Sequence, residues 1–190
     1  MREETRFALA RCKECTLVKS TKPTKRSGSI PRQPRAPWEL IALDRMGLYP
    51  FSRNGKRYLL VVTDVFSLWV EAFPLPNSEA ATIAPFMERE VFMRWGYRRA
   101  LLADNASTFQ SNFWRKKCQE WVCMVYETPV YHPQANPAER RNQEIKKGLR
   151  LGLLDSDHRC WDQYIPNIMF SLRRRRNRVT CGTHSEVLLS

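Results

Sequence analysis

Apolar residues in this chain fall in short blocks punctuated by Gly, Pro, Asn and Ser. Residues 39–46, 57–65 and 68–74 read as strands. The second holds the apolar run Tyr58-Leu59-Leu60-Val61-Val62. Between the first two lies Ser52-Arg53-Asn54-Gly55, where Asn-Gly predicts a tight hairpin turn with positive dihedrals. Asn77 or Ser78 is placed to cap a helix running to about Trp95, kinked near Pro85 and ended by Gly96. A fourth strand is expected over 99–104, a helix over 110–120, a fifth strand over 122–126, and helices over 137–153 and 161–176. The order βββ-α-β-α-β-α-α predicts an α/β fold with a mixed five-stranded sheet flanked by helices, not an alternating barrel.

Ahead of this block the pattern changes. Residues 2–11 predict a short helix, followed by Cys12 and Cys15. The Cys-x-x-Cys spacing supplies two thiolates of a structural zinc site, but such a site needs four ligands. His132, His158 and His184 all lie far downstream, so half a site is expected at best. The other cysteines are scattered and read as free thiols. Residues 19–37 are dense in Lys, Arg, Pro, Ser and Thr and read as a basic linker, and Trp38 opens the globular part.

The net charge of +13 sits on the flanks. Residues 1–37 carry ten Lys/Arg against three acids and 137–190 eleven against six, while 38–136 is nearly neutral at eleven against ten. Clustered cations displace the counterions condensed on nucleic acid, so a polyanion is the expected partner; a solvated surface is the bland alternative. No apolar run reaches the roughly 18–20 residues of a membrane span, and no signal segment opens the chain. A soluble intracellular protein is expected.

Three acids stand out against their surroundings. Asp44 interrupts the run Leu40-Ile41-Ala42-Leu43, and Asp104 ends the run Ala100-Leu101-Leu102-Ala103. Glu139 follows a Pro-rich loop at a predicted helix start. A carboxylate at the end of a buried strand is costly unless paired or bound to metal. Three from separate segments suit divalent cations and phosphoryl-transfer chemistry. Taken alone, Glu139 has a simpler reading: with Asn136 as N-cap and Pro137 at the first helical position, it completes a capping box. At 100° per residue Glu139, Gln143, Lys146 and Arg150 share one helix face, while Ala138, Ile145 and Leu149 face the sheet.

The segments carrying these acids resemble the integrase core of retroviruses and of LTR retrotransposons of the gypsy type. Trp38-Glu39-Leu40-Ile41-Ala42-Leu43-Asp44 resembles the first motif, and Tyr58 through Asp64, with Ser67, Trp69 and Glu71, the second strand. Asp104-Asn105 with Phe109 resembles the Asp-Asn-Gly motif, and Tyr131 through Arg140, with Asn142 and Lys146, the Glu helix. Thirty-four residues separate Asp104 from Glu139, close to the family's spacing.

The resemblance implies an RNase H-like fold, with domains 1–18 (the Cys half of a zinc-binding module), 19–37 (linker), 38–178 (catalytic core) and 179–190 (tail), cut short at both ends. It implies a metal-dependent polynucleotidyl transferase that performs 3′-end processing and strand transfer on DNA. Asp44, Asp104 and Glu139 would hold two Mg²⁺ or Mn²⁺ ions, with Asp44 bridging, and zinc would be absent. Tyr131, Gln134, Asn136, Arg140, Gln143, Lys146 and Arg150 would contact DNA. A homodimer through the core and a nuclear location after cytoplasmic synthesis follow from the same resemblance. Asp64 matches a recurrent position outside the triad and is expected to be structural.

The chain departs from the family pattern in three places. Ala106 stands for a Gly, Gln143 for an Arg, and Arg173-Arg174-Arg175-Arg176 replaces an apolar pattern. That run reads as a helix face against DNA, a solvated patch or a nuclear-targeting patch. Three rivals stay open: an inactive integrase-derived nucleic-acid-binding protein, another RNase H-like nuclease with Asp64 as fourth ligand, and an interaction module.

Overall fold

The computed structural model describes residues 34–96, 100–103, 106–127, 137–154 and 157–174, with only the backbone described for 127 and 137–140. The expected helix over 2–11, the Cys12/Cys15 pair and the tail 179–190 lie outside the described residues. Strands β1 (Leu40–Gly47), β2 (Tyr58–Asp64) and β3 (Val70–Leu75) form an antiparallel meander. Strands β4 (Ala100–Ala103) and β5 (Met124–Glu127) continue the sheet parallel to β1, giving the order β3-β2-β1-β4-β5. The five strands and their mixed pairing are those the apolar blocks predict.

Two helical layers cover the sheet, and the period-2 alternation of β1 and β2 divides residues between them. On one face Ile41, Leu43, Leu60 and Val62 pack with Ile83, Met87, Phe92 and Trp114. These come from α1 (Ala80–Phe86), the π-helical segment Met87–Phe92 leading into α2 (Met93–Trp95), and α4 (Asn112–Glu120), which follows the short α3 (Ser107–Gln110). On the other face Met46, Leu59 and Val61 pack with Ile145, Leu149, Trp161 and Met169. These come from α5 (Pro137–Gly152), the 3₁₀ segment His158–Tyr164 and α6 (Ile165–Arg173). At Gly152 an added Cβ would lie 2.8 Å from the Tyr164 ring, so the end of α5 needs glycine to meet the 3₁₀ segment.

Local details correct the sequence expectation. The β1–β2 turn is a three-residue loop in which Ser52 N–H donates to the Lys56 carbonyl and only Gly55, at φ 69°, is left-handed. The first helix starts after Glu79; Asn77 caps no helix but accepts from the Glu79 N–H. Pro85, lacking an N–H, interrupts the ladder, and the helix widens into its π turn directly afterwards. The expected 110–120 helix divides at Ser111, whose hydroxyl accepts from the Trp114 N–H and caps α4. The expected 161–176 helix begins at Ile165, where Pro166 occupies the first turn.

Val122, placed in the fifth strand by its sequence, lies in the turn before it with φ 55°. A β-branched residue in that region is strained by about 1–2 kcal/mol. Val122→Gly should therefore stabilise the fold by up to about 1 kcal/mol after the entropy cost of glycine, read as a higher urea midpoint. An unchanged or lower midpoint would count against this.

No helix among the described residues is long and apolar enough to cross a membrane.

Candidate active site

Asp44 lies near the carboxyl end of β1, the central strand, half-buried. Its Oδ1 accepts from the Arg45 backbone N–H at 2.6 Å, and its Oδ2 accepts from the Asn142 side-chain amide. Both donors are neutral. The Asn142 contact fixes the start of α5 against β1. Asn142 is 8% exposed, and its Oδ1 is a buried acceptor with no hydrogen-bond partner among the described residues.

For the other two acids only the neighbouring elements are described. In the parallel pairing of β1 with β4, Leu43 is opposite Ala103. Asp44 and Asp104 each follow the paired residue in sequence; Asp104 itself lies outside the described residues. Glu139 is the third residue of α5, and its side chain is likewise not described. Its backbone position is one turn before Asn142, the i, i+3 relation of neighbours on a helix surface. No group of three or more His, Cys, Asp or Glu suited to a metal occurs among the described residues, a set that excludes two of the three acids at issue.

Asp64 belongs elsewhere. It pairs with Ile41, three residues or about 10 Å up the strand from Asp44. Ile41 faces the α1 layer, so Asp64 points away from the face where Asn142 meets Asp44. Its carboxylate accepts from the Trp38 N–H at 2.8 Å, the Ser67 N–H at 2.9 Å and the Ser67 hydroxyl. It organises the β2–β3 turn and anchors buried Trp38, the structural role the sequence predicts, and it is turned away from any fourth-ligand role.

Of the DNA-contact residues expected on α5, Gln143, Lys146 and Arg150 are exposed on one side while Ile145 and Leu149 are buried, as the periodicity predicts. The side chain of Arg140 is not described, and Tyr131, Gln134 and Asn136 lie outside the described residues. Ala106 has φ −63°, a conformation any residue adopts, so its methyl group brings no strain in place of glycine.

At its first position the arginine run is not a solvated patch, because Arg173 is held within the fold. Its guanidinium donates to the carboxylate of Glu71, which is 5% exposed, and to the Val70 carbonyl at 3.0 Å. It also lies over the Trp69 ring, 4.4 Å from the centroid. It is a fold-holding residue, not a DNA-facing or solvated one. Arg174 lies over Phe170, and 175–178 fall outside the described residues.

Asn142 is the functional candidate that residue-by-residue reading passed over. Its signal was position: i+3 from Glu139 on a helix whose apolar face was already legible. Asn142→Ala should lower any Asp44-dependent activity by roughly 10–100-fold, the usual effect of losing a residue that orients a ligand. The melting temperature should stay close to wild type, and activity at the wild-type level would remove Asn142 from the site.

Comparison with known proteins places this geometry. A family model described as the integrase core domain matches residues 34–133. The chain is 28% identical over 180 residues to the Gag-Pol polyprotein of Woolly monkey sarcoma virus, covering 93% of this chain and 10% of that one. It is 28% identical over 200 residues to the Gag-Pol polyprotein of Feline leukemia virus, covering 90% and 11%. It is 32% identical over 181 residues to the Pol polyprotein of Radiation murine leukemia virus (strain Kaplan), covering 91% and 29%. The chain thus spans about a tenth to three tenths of these relatives. The catalytic core domain of BIV integrase superimposes with a TM-score of 0.62 at 20% identity, covering 80% of this chain and 94% of that one, which establishes an RNase H-like fold. With a match over more than half its length, carried by the β1–β5 sheet, this chain belongs to the integrase core domain family.

Proposed function

We propose that this chain is a catalytic core for DNA integration, acting by metal-dependent 3′-end processing and strand transfer. The observation that carries the reading is the hydrogen bond from Asn142 to Asp44, which brings the start of the Glu139 helix onto the strand that bears Asp44. The β1–β4 register supports it by setting Leu43 opposite Ala103.

The residues fit a divalent ion. Asp44 is an oxygen donor held by the Arg45 backbone N–H and the Asn142 amide, and the orphaned Oδ1 of Asn142 lies on the side chain that bonds it. Carboxylates with a nearby amide oxygen are the hard ligands Mg²⁺ and Mn²⁺ prefer. Asp44, Asp104 and Glu139 would hold the ions, and bound divalent metal supplies Lewis acidity for in-line displacement at phosphorus. Asn142 holds Asp44 in one rotamer, so the carboxylate is set before substrate arrives. Lys146 and Arg150 bind backbone phosphates and fix register without reading sequence. Integration acts on chromosomal DNA, so we place the protein in the nucleus.

The test is nicking and strand joining on a branched DNA. Activity is expected with Mg²⁺ or Mn²⁺ and none after chelation; activity in chelator would end the reading. Binding is a separate property. With +7 on residues 1–37 and +5 on 137–190, affinity for unrelated duplexes should be similar and fall steeply with salt. Neutralising Lys146 and Arg150 should weaken every duplex alike and reduce the salt slope by about 2. Salt-insensitive binding, or none at low salt, would instead favour an interaction module.

A further inference from the structure

Helix α4 ends in a left-handed cap that brings two cysteines together. Trp121 is the cap residue, and Val122 follows it at φ 55°. The Cys123 N–H donates to the Cys118 carbonyl at 2.9 Å, and the Val122 N–H to the Gln119 carbonyl at 3.0 Å. In a cap with this pair of bonds, the side chains at the two ends of the longer-range bond pack on one another. Here those side chains are Cys118 and Cys123. Both carry thiols; Cys118 is 3% exposed, and the half-buried Cys123 packs against the same core cluster. The Cys123 Sγ lies 3.7 Å from the Trp121 carbonyl oxygen, so it is turned back toward the helix end.

The backbone bond also limits the separation. With standard bond lengths, an N···O distance of 2.9 Å leaves the two α-carbons at most about 6.8 Å apart. Disulfides bridge α-carbons about 4.4–6.8 Å apart, so the pair is within reach in the cap as it stands. We propose that Cys118 and Cys123 form a redox modification site, closing to a disulfide under mildly oxidising conditions and reopening under reducing ones. The link fastens the end of α4 to the residue before β5, the strand that pairs with β4. Neither metal nor nucleic acid enters this inference, so it stands apart from the reading of the site.

The oxidant is a small-molecule disulfide, such as glutathione disulfide. Cys123, the more exposed thiol, loses its proton to solvent, and its sulfur attacks one sulfur of the oxidant. One glutathione thiolate leaves. The Cys118 thiol then gives up its proton, and its sulfur attacks Cys123 Sγ and displaces the second glutathione thiolate. Each thiolate takes up a proton, so two protein thiols lose two electrons and one glutathione disulfide becomes two glutathiones. Burial, and after it the neighbouring Cys123, push the Cys118 thiol up to about 12, which makes Cys118 the second nucleophile and not the first. Closure therefore belongs to the scale of uncatalysed disulfide exchange, minutes to hours.

The test incubates the whole chain with glutathione disulfide, blocks the remaining thiols with iodoacetamide in urea, and digests with trypsin. Cleavage after Lys117 and Arg140 yields a peptide, 118–140, that holds Cys118 and Cys123 and no other cysteine. It should be recovered unblocked and two hydrogens lighter than its dithiol form, and dithiothreitol should reverse the change. In Cys123→Ser, Cys118 should be recovered as a blocked thiol. The oxidised protein should have a higher urea midpoint than the reduced one, because the link restricts the unfolded chain, and Cys123→Ser should lose that shift. Peptide 118–140 recovered with both thiols blocked, or with glutathione on Cys123 alone, overturns the proposal. Cys123 linked instead to Cys12, Cys15, Cys160 or Cys181 does the same, as does an oxidised form with a lower midpoint.

Discussion

Asp44→Asn should reduce metal-dependent nicking and joining to background, with Asp104→Asn and Glu139→Gln doing the same. The carboxamide keeps the shape of the carboxylate, so Asn142 retains an acceptor and β1 keeps its place between β2 and β4. What is lost is the negative charge on which divalent affinity depends. The effect should exceed the roughly 10–100-fold of Asn142→Ala, because a ligand is removed and not merely its support. The circular dichroism spectrum and the blunt-duplex affinity should not move, since binding rests on distributed cations. Activity surviving any of the three changes would detach that residue from the catalytic set. Loss of activity together with loss of fold would be uninformative for these variants, so the unchanged spectrum is part of the expected result.

Arg173→Ala should destabilise the fold by about 3 kcal/mol. Removing one partner of a buried pair leaves an uncompensated charge, at about 3–5 kcal/mol in general. The low end applies because Glu71 also accepts from the Trp69 indole at 2.9 Å and has Arg94 at 3.8 Å. Arg173→Ala also exposes the face of Trp69 that the guanidinium covers. Urea denaturation measures the loss, and DNA affinity of the folded variant checks the alternative. A stable protein with weakened DNA binding would restore Arg173 to the nucleic-acid surface.

The strands were legible because most of them are buried on both faces. Runs such as Leu59-Leu60-Val61-Val62 read as short strands, and Asp44 and Asp104 were conspicuous for interrupting or ending such a run. The helix face of α5 was legible from periodicity, and Ile145 and Leu149 are buried where it put them. What failed depends on partners distant in sequence. Arg173 looked like part of a charge run because its partner, Glu71, lies 102 residues earlier. Asn142 was visible as a motif residue of the Glu helix but had no assigned role, because its partner lies 98 residues earlier. Helix starts slipped where two signals competed: Asn77 and Ser78 preceded the true boundary at Glu79, and Pro166 marked a start that the apolar pattern had placed four residues too early.

The long reach between Asp44 and Asn142 has a consequence for how this chain is made. The amide that positions the carboxylate comes 98 residues after it in the chain. At about 5–20 residues per second, a ribosome takes roughly 5–20 seconds to cover that interval. At first Asp44 is a hydrated acid on a nascent β-meander; β4 follows it by 56 residues and the helix that carries its amide partner by 93. Asp44 meets the amide that holds it only after β1 and β2 have had time to share a hydrophobic core.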